Sequence, residues 1–358
     1  MHLDYLEFYI SHTCNFNCIG CNRFNNYLFT GHQRWHEHLK AHQQWAEKLT
    51  FDRYRILGGE PLLNPDIVDW IRGTKQLWPN TESFISTNAS FKRRFDKDLY
   101  TALVDTQTVL EIGLHDINRK KEVLELVNNF TSNPVIKRTP LDLWELPNFG
   151  ANWASSYNRI RDESWPDCNS VEEWNSLSDT IKQECEQVHH FSLDLEADRL
   201  QYYNISDDNG LQVVIKLENF FYQPALLKQP ERNTFTLHNS DPYKAHEVCA
   251  SKYCHHMMAG KISKCGPSVL FQEFDRQFEV ELSKEDRELM MSYKPLTVDA
   301  DEETTKNFFD SIRNPIDQCK FCPQTYAPEE INSSINKDKF GKRRVPINTH
   351  TKLGEVDG

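Results

Sequence analysis

Over the first 140 residues, short apolar runs alternate with longer polar segments in which apolar residues recur every three or four positions. The runs predicted as strands are 6–10, 54–57, 84–88, 109–116 and 134–138. The segments predicted as helices are 34–50, 64–71, 94–105 and 117–130, the second with Asn64 as its cap and Pro65 in its first turn. Strands that alternate with helices predict an α/β fold on a parallel sheet with right-handed crossovers.

The pattern changes after residue 140. Residues 200–206 and 211–217 flank the turn sequence Asp207–Gly210, which predicts a hairpin, and the second run is interpreted as the sixth strand of the main sheet. The stretch at about 141–200 holds four tryptophans in a polar context. It is either a substrate-facing insertion or a small subdomain packed by its own aromatic side chains.

Size and charge narrow the class of protein. A chain of 358 residues can bury one large core and a smaller second one. A formal net charge of -12 argues against a broad nucleic-acid surface, and no apolar run is long enough to span a bilayer. The first strand starts too close to Met1 for a signal peptide. Ten cysteines without a secretory signal favour metal ligation in a reducing compartment, so we expect a cytoplasmic protein.

Three cysteines follow the first predicted strand at close spacing: Cys14, Cys18 and Cys21. Three thiolates on one loop can hold three corners of a cubane iron–sulfur cluster. The fourth iron would then be open to a small molecule. A zinc loop, or a chance grouping, is the alternative explanation.

Polar groups also follow the next three predicted strands. The second strand ends in Gly58-Gly59-Glu60-Pro61, where glycines allow a close backbone approach and a carboxylate can accept hydrogen bonds from an ammonium group. An ordinary turn from strand to helix is the other interpretation. The third strand ends at Ser86 and Asn88, and the fourth at His115 and Asp116.

In this order, the four elements resemble the radical S-adenosylmethionine superfamily over roughly residues 1–140. The resemblance implies a partial, six-stranded (β/α)6 barrel, open on one side. It also implies a [4Fe–4S] cluster on Cys14, Cys18 and Cys21 that reduces S-adenosylmethionine and releases a 5′-deoxyadenosyl radical. The expected ligands of S-adenosylmethionine are the motif Gly58, Gly59, Glu60 and Pro61, with Gly58 to Glu60 for the amine, and Ser86 and Asn88 for the ribose. Arg138 is the candidate for the carboxylate or, alternatively, a surface arginine at a strand end.

Two parts of this assignment stay open. The family usually has an aromatic residue before the third cysteine, and this chain has Gly20, so Ile19 or Phe24 would have to cover the adenine. His115 and Asp116 are the candidate catalytic residues because they end strand four facing the expected reaction chamber. They could contact substrate, move protons, or be structural.

A second group of cysteines lies downstream: Cys249, Cys254, Cys265, Cys319 and Cys322. Within it, residues 255–264 predict a tight hairpin with Gly260 at the bend. Four thiolates in two pairs would also suit a zinc ribbon. The spacing from Cys249 through Gly260 to Cys265, with the closing Cys-X-X-Cys, resembles SPASM and twitch extensions. That resemblance implies one auxiliary [4Fe–4S] cluster on Cys265, Cys319 and Cys322, with Cys249 favoured over Cys254 for the fourth place.

These expectations combine into one domain plan and one function. Residues 1–235 form the barrel with its insertion, 236–330 a cysteine-rich, twitch-like β-hairpin extension, and 331–358 a polar tail. The chain is expected to be a radical S-adenosylmethionine oxidoreductase with two [4Fe–4S] clusters and an external one-electron donor such as flavodoxin or ferredoxin. The substrate is a small polar metabolite or, alternatively, a peptide or protein. A non-catalytic iron–sulfur or zinc-binding scaffold is the rival of a different class.

Overall fold

The computed structural model describes residues 1–16, 18, 21–25, 29–115, 119–139, 202–217, 220–222, 226–229, 234–249, 251–325 and 328–330. The predicted insertion at 141–200 and the predicted tail at 331–358 lie outside these residues, as does Asp116.

The strands within this part of the chain are β1 (His2–Tyr9), β2 (Thr50–Leu57), β3 (Glu82–Thr87), β4 (Val109–Leu114), β5 (Val135–Thr139), β6 (Tyr202–Ser206), β7 (Gln212–Leu217), β8 (Phe220–Tyr222), β9 (Leu226–Gln229), β10 (Thr234–Leu237), β11 (His255–Met258), β12 (Lys261–Ser263) and β13 (Pro328–Glu330). The helices are α1 (Trp35–Lys48), α2 (Ile67–Leu77), α3 (Lys97–Thr106), α4 (Lys120–Phe130), α5 (Pro242–Glu247), α6 (Gly266–Phe278), α7 (Lys284–Ser292) and α8 (Glu302–Ser311). Short 3-10 turns occupy Pro61–Leu63, Lys92–Arg94 and Asp317–Phe321.

One nine-stranded sheet organises the molecule, in the order β12-β11-β1-β2-β3-β4-β7-β6-β5. Every pair from β11 to β7 is parallel, and the strands beyond them at both edges run antiparallel to their neighbours. Helices α1 to α4 connect or follow the parallel strands, which is the crossover pattern expected from the sequence. The predicted α/β fold on a mostly parallel sheet is therefore confirmed.

The order of the later strands differs from the prediction. Strand β7 lies beside β4, with Leu110 opposite Val213, whereas β5 lies at the outer edge and pairs with β6. The predicted hairpin between β6 and β7 is present and turns through residues 207–210. Because the tight turn keeps β6 against β7, β5 can only add beyond β6. In the six-stranded barrel that the resemblance implies, strand five would follow strand four, but the sheet has β7 in that place.

The two faces of the sheet differ in character, since alternate residues of a strand point to opposite sides. On one face Phe8 packs against Trp70 of α2, with ring centroids 6.3 Å apart, within the main apolar core. On the other face, the register of β1 to β4 brings Glu7, Arg55 and Glu111 onto one side. This charged face leads to the strand ends that carry the candidate site.

Asn64 does not cap α2 as predicted. The helix begins at Ile67 after Asp66, while the Asn64 side-chain amide donates to the carbonyl oxygens of Ile10 (2.9 Å) and Gln33 (2.8 Å). The Asn64 side-chain oxygen, which a cap would use, accepts from the Asp66 N–H at 2.9 Å in the turn before the helix. Asn64 therefore fixes the chain where it leaves β1 toward the cysteines.

The predicted hairpin around Gly260 is present as β11 and β12, and Gly260 has a positive φ of 71° at the bend. The hairpin continues the main sheet, because β11 pairs in parallel with β1. The indole N–H of Trp45 in α1 donates to the Gly260 carbonyl at 2.8 Å. Within the described residues, no helix is long and apolar enough to cross a membrane.

Candidate functional site

The segment after β2 lies directly on the segment that enters the first cysteine loop. The Gly59 N–H donates to the Ser11 carbonyl at 2.6 Å, and the Glu60 N–H donates to the Thr13 carbonyl at 2.8 Å. A Cβ added at Gly58 would lie 2.4 Å from the Ser11 oxygen, and one at Gly59 would lie 2.5 Å from the Thr13 oxygen. The close approach expected of these glycines is thus to the protein's own backbone, which positions the cysteine loop.

Glu60 is fully buried and heavily hydrogen bonded. Its carboxylate accepts from the Thr87 hydroxyl (2.7 Å), the Asn88 N–H (2.8 Å) and the Leu62 N–H (3.0 Å). Burial raises the pKa of Glu60 to about 7, although these donors oppose the shift. The carboxylate therefore ties the end of β2 to the end of β3 and starts the turn at Pro61. Its contact with an ammonium group stays a prediction.

Asn88 lies beside the cysteine loop, whereas Ser86 lies on the charged face of the sheet. The Asn88 side-chain amide donates to Asn15 Oδ1 at 3.2 Å and lies 3.8 Å from Cys14 Sγ. The Ser86 hydroxyl donates to Glu111 at 3.0 Å, and Arg55 holds the other oxygen of that carboxylate at 2.6 Å. Of the two predicted ribose contacts, Asn88 is therefore the one adjacent to the loop.

The structure brings Cys14, Cys18 and Cys21 together around the buried ring of Phe16. Burial raises the pKa of the Cys14 and Cys21 thiols well above the ordinary value. The Phe16 N–H lies 3.4 Å from Cys14 Sγ as a donor. Three thiols gathered on one loop are the donor set that a metal centre needs, and binding of a metal would release their protons.

His115 ends the fourth predicted strand and Arg138 the fifth, and the structure places only one of them near the cysteine loop. The His115 ring lies 6.3 Å from the Phe16 ring, so His115 reaches the cysteine loop. Arg138 is on β5 at the outer edge, with β7 and β6 between its strand and β4. The sheet therefore does not place Arg138 beside strand four as expected, and its role as a carboxylate ligand stays a prediction.

Arg119, which the sequence reasoning missed, is a cation next to the loop. Its guanidinium lies 5.1 Å from the Phe16 ring centre and donates to the carbonyls of Asn88 (3.2 Å) and Ala89 (3.3 Å). It therefore holds the end of β3 against the cysteine loop. In the sequence, Arg119 is one polar residue near the start of a predicted helix, and no local pattern singles it out.

A buried charged group was also missed, and it links the cysteine loop to the C-terminal hairpin. Arg23, two residues after Cys21, donates to the Glu7 carboxylate at 2.8 Å, and the His256 ring of β11 also contacts this carboxylate. Burial alone would raise the pKa of Glu7, but Arg23 and His256 together lower it well below its usual range. The sequence signal that could have indicated this group is Glu7, an acidic residue within an otherwise apolar predicted strand.

Phe24 is not free to cover an adenine. It is 1% exposed and stacks on Phe271 of α6, with ring centroids 5.5 Å apart. Phe274 adds an edge contact at the same distance. These rings belong to a second apolar core beneath the loop, where burial of a large aromatic surface is most favourable. The expectation for Phe24 is therefore wrong, and Ile19 lies outside the described residues.

The second cysteine group converges on one cavity. Four thiols line it: Cys249, Cys265, Cys319 and Cys322. Burial raises the pKa of Cys249 to about 12, and the nearby thiols of Cys265 and Cys319 add to the shift. Cys254 does not line the cavity, and the charged or ionisable groups near it are Glu7, Arg23 and the thiols of Cys249 and Cys265. The geometry therefore favours Cys249 over Cys254, while the ligand set stays a prediction.

Comparison with known proteins finds similarity in the N-terminal part of the chain. Residues 8–139 match the family described as the Radical SAM superfamily. A GTP 3',8-cyclase of Picosynechococcus sp. is 34% identical over 121 residues, 32% of this chain and 36% of that protein. A GTP 3',8-cyclase of Crocosphaera subtropica is 28% identical over 147 residues, 40% of each protein.

Among solved structures, the crystal structure of BtrN in complex with AdoMet and 2-DOIA covers 30% of this chain and 45% of that chain at 21% identity. Its TM-score of 0.24 is too low to support a conclusion about the fold. The chain spans only a third to two fifths of the length of the two relatives. The prediction of a radical S-adenosylmethionine domain is confirmed for the matched part, and that family implies a [4Fe–4S] cluster and S-adenosylmethionine.

Proposed function

We propose that this protein is a radical S-adenosylmethionine enzyme that abstracts hydrogen from a small polar substrate. The observation that carries the proposal is the buried loop of Cys14, Cys18 and Cys21, positioned by Gly59 within the segment that matches the family. When bound, a [4Fe–4S] cluster supplies the electron that cleaves S-adenosylmethionine and so provides a 5′-deoxyadenosyl radical.

The described residues fit this cofactor pair. No three thiol sulfurs in the described part of the chain lie within 4.8 Å of one another. Around a single zinc ion with Zn–S bonds of about 2.3 Å, tetrahedral geometry places the sulfur atoms only about 3.8 Å apart. A zinc ion at either cysteine group would therefore require the thiols to move closer together, and zinc stays the alternative that metal analysis tests.

In this proposal, the protein groups around the loop bind, orient and exclude water. Glu60 and Arg119 fix the ends of β2 and β3 against the loop, so that Asn88 faces Cys14. The backbone at Gly58 to Glu60 and the Asn88 amide are the candidates to hold the amine and the ribose of S-adenosylmethionine. Phe16 and His115 form a wall beside the thiols, where His115 can contact substrate or hold a proton.

The direct test is anaerobic reconstitution followed by reduction with dithionite in the presence of S-adenosylmethionine. The wild-type chain should form 5′-deoxyadenosine slowly, even without substrate. The chain with Cys14, Cys18 and Cys21 all changed to alanine should form none, while the Cys254→Ala chain serves as a matched thiol control. A wild-type chain that binds iron but forms no 5′-deoxyadenosine would support the non-catalytic scaffold instead.

The proposed substrate is a small polar metabolite such as a sugar, an amino sugar or a nucleotide. The relatives named GTP 3',8-cyclase make a purine nucleotide the first compound to test, although the similarity covers only their shared N-terminal part. Stimulation of 5′-deoxyadenosine formation by one metabolite class would identify it. Stimulation only by peptides would favour the peptide-modifying alternative.

A second cluster is proposed at the cavity of Cys249, Cys265, Cys319 and Cys322. The hairpin of β11 and β12 returns the chain to Cys265, and the 3-10 turn Asp317–Phe321 carries Cys319, as in a twitch-like extension. Reconstituted protein should then bind roughly eight irons, and the triple alanine variant of the first loop about half of them. One zinc with only four irons would contradict the auxiliary cluster.

We also propose an architecture, a redox partner and a compartment for this protein. The parallel strands, which include β11, are proposed to curve into a partial (β/α)6 barrel built mainly from residues 1–235. The auxiliary domain at 236–330 is then proposed to share its β11–β12 hairpin with this sheet. Reduction is assigned to an external donor such as flavodoxin or ferredoxin, in an oxidoreductase of the cytoplasm. Replacing dithionite by reduced flavodoxin in the 5′-deoxyadenosine assay tests the donor.

A further inference from the structure

A buried lysine lies at the cavity of the four thiols. Lys264 directly precedes Cys265, lines the same cavity and is 3% exposed. Its ammonium group donates to the carbonyl oxygen of Ile312 at 2.7 Å and also to that of Asn314. Its own backbone N–H donates to the Tyr293 hydroxyl at 2.7 Å, so the residue is fixed at both ends.

The positive charge of Lys264 has no carboxylate partner within the part of the chain that the structure describes. Its described acceptors are two neutral carbonyl groups, whereas most other buried cations, such as Arg23 and Arg55, are paired with a carboxylate. A buried charge without a counter-charge is strongly unfavourable. The nearest groups that can become anionic are the surrounding thiols, including those of Cys265 and Cys319.

We propose that Lys264 is the internal counter-ion of the centre held by the four cysteines, and that it raises the reduction potential of the [4Fe–4S] cluster there. This inference rests on the auxiliary cluster proposed above. Reduction adds one electron, and therefore one negative charge, to a centre that four thiolates already make anionic. A fixed positive charge in a low-dielectric site stabilises the more negative state more strongly, so it favours reduction.

The test measures the reduction potential of the auxiliary cluster by a redox titration followed by electron paramagnetic resonance. It uses the full chain with Cys14, Cys18 and Cys21 changed to alanine, so that only the second cluster is observed. Lys264→Met, which removes the charge at similar length, should lower the reduced-to-oxidised ratio at a fixed potential at least tenfold. For a one-electron couple, that is a shift of 59 mV to more negative potential.

Two variants control for structure and for position. Lys264→Arg retains the charge and should stay within threefold of the parent protein. Lys252 lines the same cavity, but it is more exposed and its ammonium donates to the Glu247 carbonyl at 3.0 Å. Lys252→Met should therefore change the ratio less than threefold, because solvent screens the charge. Equal shifts in the Lys252 and Lys264 methionine variants would overturn the proposal.

Should Lys264→Met fail to fold, Lys264→Gln replaces it. The glutamine amide removes the positive charge but keeps N–H donors for the carbonyl groups of Ile312 and Asn314 that the ammonium contacts. We expect a shift of the same sign and of at least threefold. An unchanged potential contradicts the counter-ion assignment, whereas a parent protein without iron contradicts the auxiliary cluster itself.

Discussion

The two cysteine groups are built in different ways. Cys14, Cys18 and Cys21 lie within eight consecutive residues of one loop, which the backbone after β2 supports at Gly58 and Gly59. The second group is assembled from three separate segments: the end of α5, the start of α6 and the turn at 317–321. A local loop needs a tightly fitting support, whereas a dispersed site needs its segments fixed relative to one another and its charge balanced.

Arg23, Glu7 and His256 connect the two groups. The arginine belongs to the first loop, and the histidine to the hairpin that leads to Cys265. Gly266, at the start of α6, lies against both: a Cβ there would be 2.5 Å from the His256 ring and 2.7 Å from the Arg23 guanidinium. The two sites therefore share one scaffold, although different forces hold them.

The largest expected effect comes from removing the support of the first loop. In Gly59→Ala the new methyl group would clash with the Thr13 carbonyl, so the loop must move. We expect the reconstituted protein to lose about half of its iron, namely the first cluster, and to form no 5′-deoxyadenosine. Gly210→Ala is the control: its φ of 85° disfavours alanine, but its Cβ meets no atom within 4 Å, so it strains the β6–β7 turn without a clash. Full iron content in Gly59→Ala would show that the loop does not depend on this contact.

The second cysteine group can be broken at one thiol. Cys249→Ala removes a side chain that lines the cavity, and it should expose one iron and make the second cluster labile to oxygen and chelator. Cys254→Ala changes a buried thiol beside that cavity and should retain both clusters. Iron content and cluster absorbance of the two variants decide the fourth ligand. Loss of the second cluster only in Cys254→Ala would reverse the assignment.

The Glu60→Gln variant distinguishes two roles of Glu60, namely support of the strand ends and binding of S-adenosylmethionine. The neutral amide keeps one acceptor but presents an N–H2 group to the donors of Thr87, Asn88 or Leu62. We expect the free energy of unfolding to fall by about 1–3 kcal/mol. Iron content should hold while S-adenosylmethionine binds more weakly, as measured by calorimetry. Unchanged affinity would restrict Glu60 to supporting the strand ends.

The smallest effect lies in the shared scaffold. His42 is buried against Trp35 and Trp70, neither ring nitrogen has a hydrogen-bond partner in the described structure, and burial lowers its pKa to about 3. Because the unfolded chain, with a pKa near 6.5, binds the proton more readily, stability should fall as pH drops below 6.5.

Between pH 7 and pH 5 the contribution of His42 should lower the free energy of unfolding by about 2 kcal/mol. His42→Leu should abolish this loss. Urea unfolding at the two pH values measures it, with the exposed His36→Asn as the control. Iron content at pH 7 should be unchanged in both variants. An equal loss of stability on acidification in wild type and His42→Leu would show that other groups set the acid sensitivity.

The strands and helices up to residue 130 were predictable, because the period of their apolar residues follows from backbone geometry. Helix α1 lies within its predicted range, and the 207–210 turn joins two strands as expected. Sheet order was not predictable, since nothing in residues 134–138 indicates that β7 would pair with β4 instead. Strand order depends on long-range pairing that local pattern does not encode.

The candidate site divides in the same way. The sequence by itself determined the thiol loop, the glycine motif and the strand-end residues, because each is a short run whose chemistry depends on local spacing. Only the tertiary structure revealed that the glycines contact the protein's own backbone, that Phe24 is a core residue and that Arg119 lies over Phe16. It also revealed the buried Lys264 beside four converging thiols. Those features depend on which distant segments meet, and packing decides that.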